Sequence, residues 1–167
     1  METLANSLSG ETGYADLLIR FTAASVLAGL LGINREWRHK PAGLRTHILV
    51  AVAACAFALL SMDLFLETAA LHPEAQSDPI RVIEAVVTGV AFLGAGVIIQ
   101  AGGTVTGVTT GASVWVAGAI GLAAGTGNIR IAVLCTAFGL IALIVLGWFE
   151  RRFTKRPADD EEEGNGP

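Results

Sequence analysis

Charged residues are scarce in this chain. Asp, Glu, Lys and Arg make up 16% of its 167 residues and hydrophobic residues make up 53%, and the mean hydropathy is +0.60. A soluble globular domain carries about 25% charged residues, so this composition excludes an ordinary soluble domain and indicates a membrane protein. The basic residues lie at the ends of apolar runs and form no continuous stripe, which argues against nucleic-acid binding.

Cysteines and recognisable catalytic sets are also few. Cys55 and Cys135 both lie within apolar segments, where we expect them to pack as small hydrophobic residues. Two such thiols form neither a disulfide framework nor a metal-binding pattern. No combination of nucleophile, base and orienting residue is recognisable, and the glycine-rich region around Gly102 lacks the lysine of a phosphate-binding loop. We therefore expect no enzyme activity and no bound cofactor.

Long apolar runs, in contrast, fill most of the chain. A membrane-spanning helix needs about 20 apolar residues, and the sequence predicts spans at residues 15–33, 48–66, 82–99, 108–124 and 129–149. The predicted fold is therefore all-α, a polytopic membrane bundle of about five transmembrane helices. This transmembrane domain occupies residues 15–150, and the lipid bilayer is its first expected partner.

Clusters of positive charge predict how the bundle is oriented. Basic residues follow the first and the fifth predicted spans. They are Arg35, Arg38, Lys40 and Arg45 in the first cluster, and Arg151, Arg152, Lys155 and Arg156 in the second. Short segments rich in Lys and Arg stay on the cytoplasmic side. We therefore expect residues 1–14 outside the cytoplasm, the C-terminus inside it, and residues 151–167 as a basic and then acidic disordered tail.

Small residues recur at helical spacing within the spans. The three series are Ala24, Ala28 and Gly32, then Ala85 and Gly89, then Ala117, Gly121 and Gly125. Because lipid gives no hydrophobic drive for helix association, such ridges let helix backbones approach closely. We predict that all three series are packing faces.

The stretch between the third and fourth spans is uncharged and rich in glycine and threonine. It includes Gly102, Gly103 and Gly107, with threonines at positions 104, 106, 109 and 110. We favour a close-packed helical hairpin here. The alternative is a re-entrant, backbone-lined path, which a membrane protein tolerates only where it is buried in protein or in contact with water.

Three blocks of residues share a recognisable pattern. The first is Gly32-x-x-Arg-Glu-x-x-x-Lys-Pro-Ala-Gly-Leu-Arg-Thr46. The second joins Asp78-Pro-x-Arg81 to Gly89-x-x-Phe-Leu-Gly-Ala-Gly-Val-Ile98. The third joins Gly107-x-Thr-Thr-x-Ala112 to Trp115 and to Ala119-Ile-Gly-Leu-Ala-Ala-Gly125. Together, in this order and spacing, they resemble the signatures of the MgtC/SapB family of membrane proteins. Asn34, Glu84 and Gly111 stand where many members have Glu, Gln and Ala.

The resemblance implies a multi-pass protein of the bacterial inner membrane that is linked to magnesium homeostasis. It resembles the short form, without the soluble C-terminal domain of long members, which regulate other membrane machines including the F-type ATP synthase. We therefore expect a non-enzymatic regulator whose candidate partners are other inner-membrane proteins, such as that synthase, and further copies of itself. The alternative is a transporter or channel for magnesium or another ion.

The resemblance also indicates functional residues. They are Arg20, Glu36, Lys40, Pro41, Gly43, Arg45, Thr46, Asp78, Arg81, Gly89, Gly94, Gly96, Thr109, Thr110 and Trp115. In the first block, Pro41 fixes its own φ and Gly43 can adopt conformations barred to other residues. We predict that this turn holds Glu36 and Arg45 in a set geometry. Glu36 has two interpretations, an ion pair with Lys40 at i+4 and a role in recognition.

Charged residues near the predicted outer face bear on the choice between regulation and transport. Arg20 lies inside the first span, where it either pairs with Asp16 or acts between helices. Asp78 and Glu84 are candidates for binding Mg²⁺, which prefers oxygen ligands, but a solvated loop with an Arg81–Glu84 pair is the favoured interpretation. Arg20 and Glu84 together in a bundle interior would favour transport, and both at the lipid edge would favour regulation.

Overall fold

A computed structural model describes residues 13–71, 78, 80–101 and 104–148. Within these residues the chain forms five α-helices and one two-stranded β-hairpin, which confirms the all-α class and the helix number. The elements are α1 (Tyr14–Trp37), α2 (Leu44–Leu71), α3 (Ile80–Gly96), β1 (Ile99–Ala101), β2 (Thr104–Thr106), α4 (Val108–Gly125) and α5 (Ile129–Ile141). A π-helical turn, Ala142–Leu146, continues α5. The predicted tail at 151–167 and nearly all of the predicted segment 1–14 lie outside the described residues.

The connections are shorter than the sequence predicts. Helix α1 continues to Trp37 and α2 begins at Leu44, so only residues 38–43 join them. Helix α2 runs on to Leu71, so the prediction of a loop from residue 66 is wrong over its first part. Lys, Arg, Glu and Ala are all good helix formers, and polar residues at a membrane edge therefore do not end a helix.

The connection between α3 and α4 is an antiparallel β-hairpin in which Ile99 pairs with Thr106 and Ala101 with Thr104. The predicted helical hairpin is therefore wrong for the connection itself, because its β-branched residues favour strands. The predicted close packing of the two helices is found about one helical turn away from the hairpin, at Gly94 on α3 and Gly111 on α4. A Cβ added at Gly94 would lie 3.2 Å from the carbonyl oxygen of Gly111, so the two helix backbones nearly touch there.

Helix α4 is the centre of the bundle and contacts each of the other four helices. Alanines and glycines fill the interior between them. Two of the predicted small-residue ridges are confirmed, because Ala24, Ala28 and Gly32 on α1 and Ala117, Gly121 and Gly125 on α4 are all buried. A Cβ added at Gly121 would lie 2.2 Å from the carbonyl oxygen of Ala51 on α2.

The third predicted ridge, Ala85 and Gly89 on α3, is wrong. Both residues are exposed, and a Cβ added at Gly89 would meet no other atom within 4 Å. Helix α3 instead buries the face that carries Val86, Val90 and Gly94, which follow one another at i+4. The large side chain of Val90 packs into the space that Gly118 leaves on α4, so this interface uses one small residue against one large one.

Large apolar side chains cover the outside of the bundle, among them Ile19, Leu49, Phe92 and Phe138. Three helices are long and apolar enough to cross a membrane by length and composition, namely Tyr14–Trp37, Leu44–Leu71 and Val108–Gly125. Helix α3 has 17 residues, which at 1.5 Å per residue is about 25 Å, near the lower limit for a span. Small residues inside and large apolar residues outside are typical of helices that associate in lipid.

Candidate functional site

A cavity of the described residues lies at the end of the bundle where α1 and α3 end and α4 begins. We call this the basic end. The cavity has a volume of about 770 Å³ and is enclosed by the C-terminal turn of α1, the 38–43 loop, the β-hairpin, the N-terminal turn of α4 and the end of α5. Its lining includes Arg35, Arg38 and Lys40, together with the hydroxyl-bearing residues Thr106, Thr109, Thr110 and Ser113.

Arg35 is the most deeply placed of these cations. It continues the buried face of Ala28, Leu31 and Gly32 on α1, and only 3% of its surface is exposed. One terminal nitrogen, Nη2, donates a hydrogen bond to the hydroxyl oxygen of Thr110 on α4. The Nε atom is buried without a hydrogen-bond partner among the described residues. Arg35 therefore links α1 to α4 while leaving part of its donor capacity unused.

A helix-ending motif positions the rest of the basic loop. The amide of His39 donates to the carbonyl oxygen of Glu36 and the amide of Lys40 to that of Arg35, and His39 has a φ of 51°. This is the Schellman arrangement, in which the residue with positive φ is usually glycine. Arg38 and Lys40 of this motif line the cavity, and a Cβ added at Gly147, just after the π-helical turn, would lie 3.4 Å from Nη1 of Arg38.

Glu36 organises the start of α2. Its Oε2 accepts a hydrogen bond of 3.0 Å from the amide of Leu44, so it caps α2 from the preceding helix. The ion pair expected with Lys40 is absent from the described ion pairs, which comprise Arg20 with Asp16. Gly43 has no positive φ. A glycine is required there because the Glu36 carboxylate approaches its backbone closely. A Cβ added there would lie 1.7 Å from the same Oε2.

His47 is a buried link that the sequence reading missed. Its side chain is completely buried. Its Nδ1 lies 2.8 Å from the carbonyl oxygen of Gly43, and its Nε2 lies 3.1 Å from the hydroxyl oxygen of Ser113 on α4. Ser113 in turn donates to the carbonyl oxygen of Thr110. Together, His47, Ser113, Thr110 and Arg35 form a polar layer that ties α1, α2 and α4 together beneath the cavity.

Arg20 lies at the opposite end of the bundle. Its Nε is 2.6 Å from Oδ2 of Asp16, and its Nη1 donates a 2.8 Å hydrogen bond to the carbonyl oxygen of Gly125. The guanidinium packs over Gly127, which has a φ of 79°. Arg20 therefore binds a free carbonyl at the C-terminus of α4, so the pairing and the interhelical interpretations both hold.

The acidic residues near α3 do not assemble a magnesium site within the described residues. Asp78 uses its Oδ1 to accept a 2.9 Å hydrogen bond from the amide of Ile80, which caps α3. Glu84 is exposed on α3, and the expected Arg81–Glu84 ion pair is not among the described ones. No three acidic, histidine or cysteine side chains of the described chain cluster closely enough to hold a metal ion.

The structure brings together only some of the predicted site residues. Lys40, Pro41, Thr109 and Thr110 line the cavity, and Glu36 and Gly43 shape the loop beside it. Gly94 packs against α4, whereas Gly96 and Gly89 face open space. Arg45, Thr46, Arg81 and Trp115 are exposed and do not line the cavity. Arg35, His47 and Ser113 belong to the site but were not predicted as site residues, although each extends the helical spacing of a small-residue face.

Long apolar helices with alanine inside and large apolar residues outside define an α-helical membrane protein. The model of the MgtC family matches residues 21–152, and the chain belongs to that family. It is 36% identical over 146 residues to the protein named MgtC of Salmonella paratyphi A, covering 87% of this chain and 59% of that protein. It is likewise 36% identical over 131 residues to the putative magnesium transporter YhiD of Escherichia coli, covering 78% and 60%.

An uncharacterized protein of Haemophilus influenzae is 33% identical over 138 residues, which cover 80% of this chain and 58% of that protein. The chain thus spans about three fifths of the length of the curated relatives it matches. No solved structure matches the chain.

Proposed function

We propose that the chain is a non-enzymatic regulator in a bacterial inner membrane, linked to magnesium homeostasis, that acts by binding other membrane proteins. The F-type ATP synthase is the first candidate partner, by resemblance to the long members of the family. In this proposal the N-terminus lies outside the cytoplasm and the basic end lies at the cytoplasmic face, as the Lys and Arg clusters favour. The name of the Escherichia coli relative, a magnesium transporter by that name, supports the link to magnesium.

The charge of the basic-end cavity is the observation that carries this proposal. Among its described lining residues are Arg35, Arg38 and Lys40, and none of the described lining residues is Asp or Glu. A hard divalent cation needs oxygen ligands, commonly carboxylates, and retains several waters. A cavity lined by fixed positive charge repels such an ion in a low-dielectric setting. The cavity therefore supports regulation over magnesium transport.

The positions of Arg20 and Glu84 match neither the arrangement expected for transport nor the one expected for regulation. Arg20 is held by Asp16 and by the carbonyl of Gly125, whereas Glu84 is exposed on α3. The two residues therefore do not share an interior pathway, which was the arrangement expected of a transporter. Arg20 is too well packed to mark a lipid edge, so its role is better explained as a structural cap of α4.

Trp115 offers a candidate contact for a partner. It lies in the middle of α4 and is 49% exposed, although α4 is otherwise the most buried helix. A large aromatic side chain that the fold does not bury is a common anchor in protein interfaces. Phe138 on α5 is 69% exposed but lies outside the three motif blocks, so it provides a matched control for aromatic exposure to lipid.

The test is affinity purification of the tagged chain from mildly solubilised bacterial membranes, with the ATP synthase quantified by immunoblot. ATP-driven proton pumping is measured in inverted vesicles from the same cells. We expect the synthase to be enriched and pumping to be reduced. Trp115→Ala is expected to lower the enrichment about tenfold and Phe138→Ala to leave it unchanged. Absence of enrichment together with unchanged pumping would contradict the proposal for this partner.

A further inference from the structure

The basic-end cavity has more positive charge than the fold itself uses. A buried cation is costly unless it is paired and hydrogen-bonded. Arg35 is almost completely buried, yet its Nε has no hydrogen-bond partner and no carboxylate lies within 4 Å of it in the described part of the chain. Arg38 and Lys40 add two more cations to the same wall. A bound anion would supply the missing countercharge.

The start of α4 adds to this preference for an anion. Helix α4 begins after Gly107, which has a φ of 86°, and no side chain caps its first turn. A Cβ at Gly107 would lie 2.0 Å from the carbonyl oxygen of Val97, so the backbone is held tightly at this point. The first amides of a helix carry unsatisfied donors and the positive end of its dipole. Thr109 and Thr110, in this turn, line the cavity.

We propose that this cavity binds a phosphate ester, with the phosphoryl group held between Arg35, Arg38, Lys40 and the first turn of α4. A planar guanidinium, an ammonium group, hydroxyls and a helix N-terminus are the groups that proteins use for phosphate. The volume of about 770 Å³ is in the range of small-molecule sites and exceeds what phosphate alone would fill. Leu31, Val116 and Leu143 line the cavity as well and provide apolar contact for the rest of the molecule.

Two sources can supply this chemistry, namely a soluble phosphate ester and the headgroup of an anionic phospholipid. The site does not depend on the proposed regulatory function, since neither the ATP synthase nor magnesium enters the argument. The same full-length chain is therefore tested in two settings. One is detergent solution with inorganic pyrophosphate as the probe, and the other is vesicles of phosphatidylcholine with or without phosphatidic acid.

The measurements are pyrophosphate affinity by calorimetry and the thermal unfolding midpoint of the protein in each vesicle type. A soluble source predicts saturable pyrophosphate binding in detergent and in phosphatidylcholine. A lipid source predicts a raised midpoint only with phosphatidic acid. In either setting, Arg38→Gln and Lys40→Gln are each expected to weaken the effect about tenfold, as for the loss of one charge-assisted hydrogen bond. Arg130→Gln, which removes an exposed arginine on α5, is the matched control and should change nothing.

Arg35→Met removes the buried cation and is expected to abolish binding. If that variant fails to fold, the partly or fully exposed Arg38 and Lys40 still decide the question. The proposal is overturned if neither pyrophosphate nor phosphatidic acid has an effect, or if the effect survives in the Arg38→Gln, Lys40→Gln double variant. It is also overturned if Arg130→Gln weakens the effect as much as Arg38→Gln does.

Discussion

Arg35 on α1 donates a hydrogen bond to the hydroxyl of Thr110 on α4 in the interior of the basic end. This contact joins a residue of the first motif block to a residue of the third across 75 positions of sequence. It brings the first and third blocks together at the cavity, where α1, the 38–43 loop and the first turn of α4 form one wall.

Gly43 and Glu36 are expected to behave as a coupled pair. Gly43→Ala places a methyl group against the carboxylate that caps α2, so it should cost about 1 kcal/mol or more from the lost cap. In a Glu36→Ala background the obstacle and the cap are already gone, and the additional cost of Gly43→Ala should largely disappear. Thermal unfolding of the four proteins in detergent measures this coupling. Additive effects would show that the close approach of Glu36 does not explain Gly43.

Gly121 and Gly89 make a matched pair of helical glycines. Gly121→Ala forces the backbones of α4 and α2 apart, because the new methyl group would meet the carbonyl of Ala51, and we expect a loss of about 1–3 kcal/mol. Gly89→Ala enters open space and should be neutral or slightly stabilising. Val145→Leu, at an exposed site, should also be neutral. Membrane expression and unfolding temperature report all three, and a harmful Gly89→Ala would mean that α3 is covered by something else.

Arg20 is expected to contribute stability at the end opposite the cavity. Arg20→Gln removes the ion pair with Asp16 and the charged hydrogen bond to Gly125. Because the side chain is partly exposed, the loss should be about 1–2 kcal/mol. Arg130→Gln, at an exposed position just beyond the same turn, serves as the control. If Arg20→Gln is as stable as that control but no longer enriches the ATP synthase, Arg20 has a functional role and the structural explanation is wrong.

The orientation of the bundle is testable with compartment reporters. In the proposed arrangement of five spans, reporters inserted at Gly103 and after Pro167 lie in the cytoplasm and one at Gln76 lies outside it. Cysteine labelling with a membrane-impermeant reagent in intact and lysed cells distinguishes the two sides. Reporters at Gln76 and Pro167 on the same side of the membrane would contradict the five-span arrangement. A Gly103 reporter outside the cytoplasm would contradict the proposed cytoplasmic position of the cavity.

Much of the fold could be predicted from the sequence because long apolar runs allow few structures in a membrane. The five helices and the ridges of α1 and α4 follow from this constraint and from small-residue spacing. The ridge predicted at Ala85 and Gly89 was wrong because spacing alone does not show which face of a helix meets its neighbours. On α3 the apolar Val86 and Val90 form the interface, and a glycine lies on the open side.

The candidate site was harder to predict because it depends on long-range contacts. Lys40, Pro41, Thr109 and Thr110 were found through the motifs. Arg35 was predicted only as a member of the first basic cluster and motif block, although it extends the buried face of Leu31 and Gly32 by three or four residues. His47 was missed for the same reason, since it begins the buried series that continues with Val50, Ala51 and Ala54. Helical spacing could have indicated both residues, but their partners on α4 became visible only in the folded structure.

The proposed regulator, with its cationic basic end, should not conduct magnesium. This is tested by Mg²⁺ entry into liposomes that contain the purified chain and a magnesium-sensitive dye, with an established magnesium channel reconstituted in parallel. We expect entry no faster than in protein-free liposomes, because Arg35, Arg38 and Lys40 line the cavity and none of its described lining residues is a carboxylate. Saturable Mg²⁺ entry that Gly121→Leu abolishes and Val145→Leu preserves would contradict it.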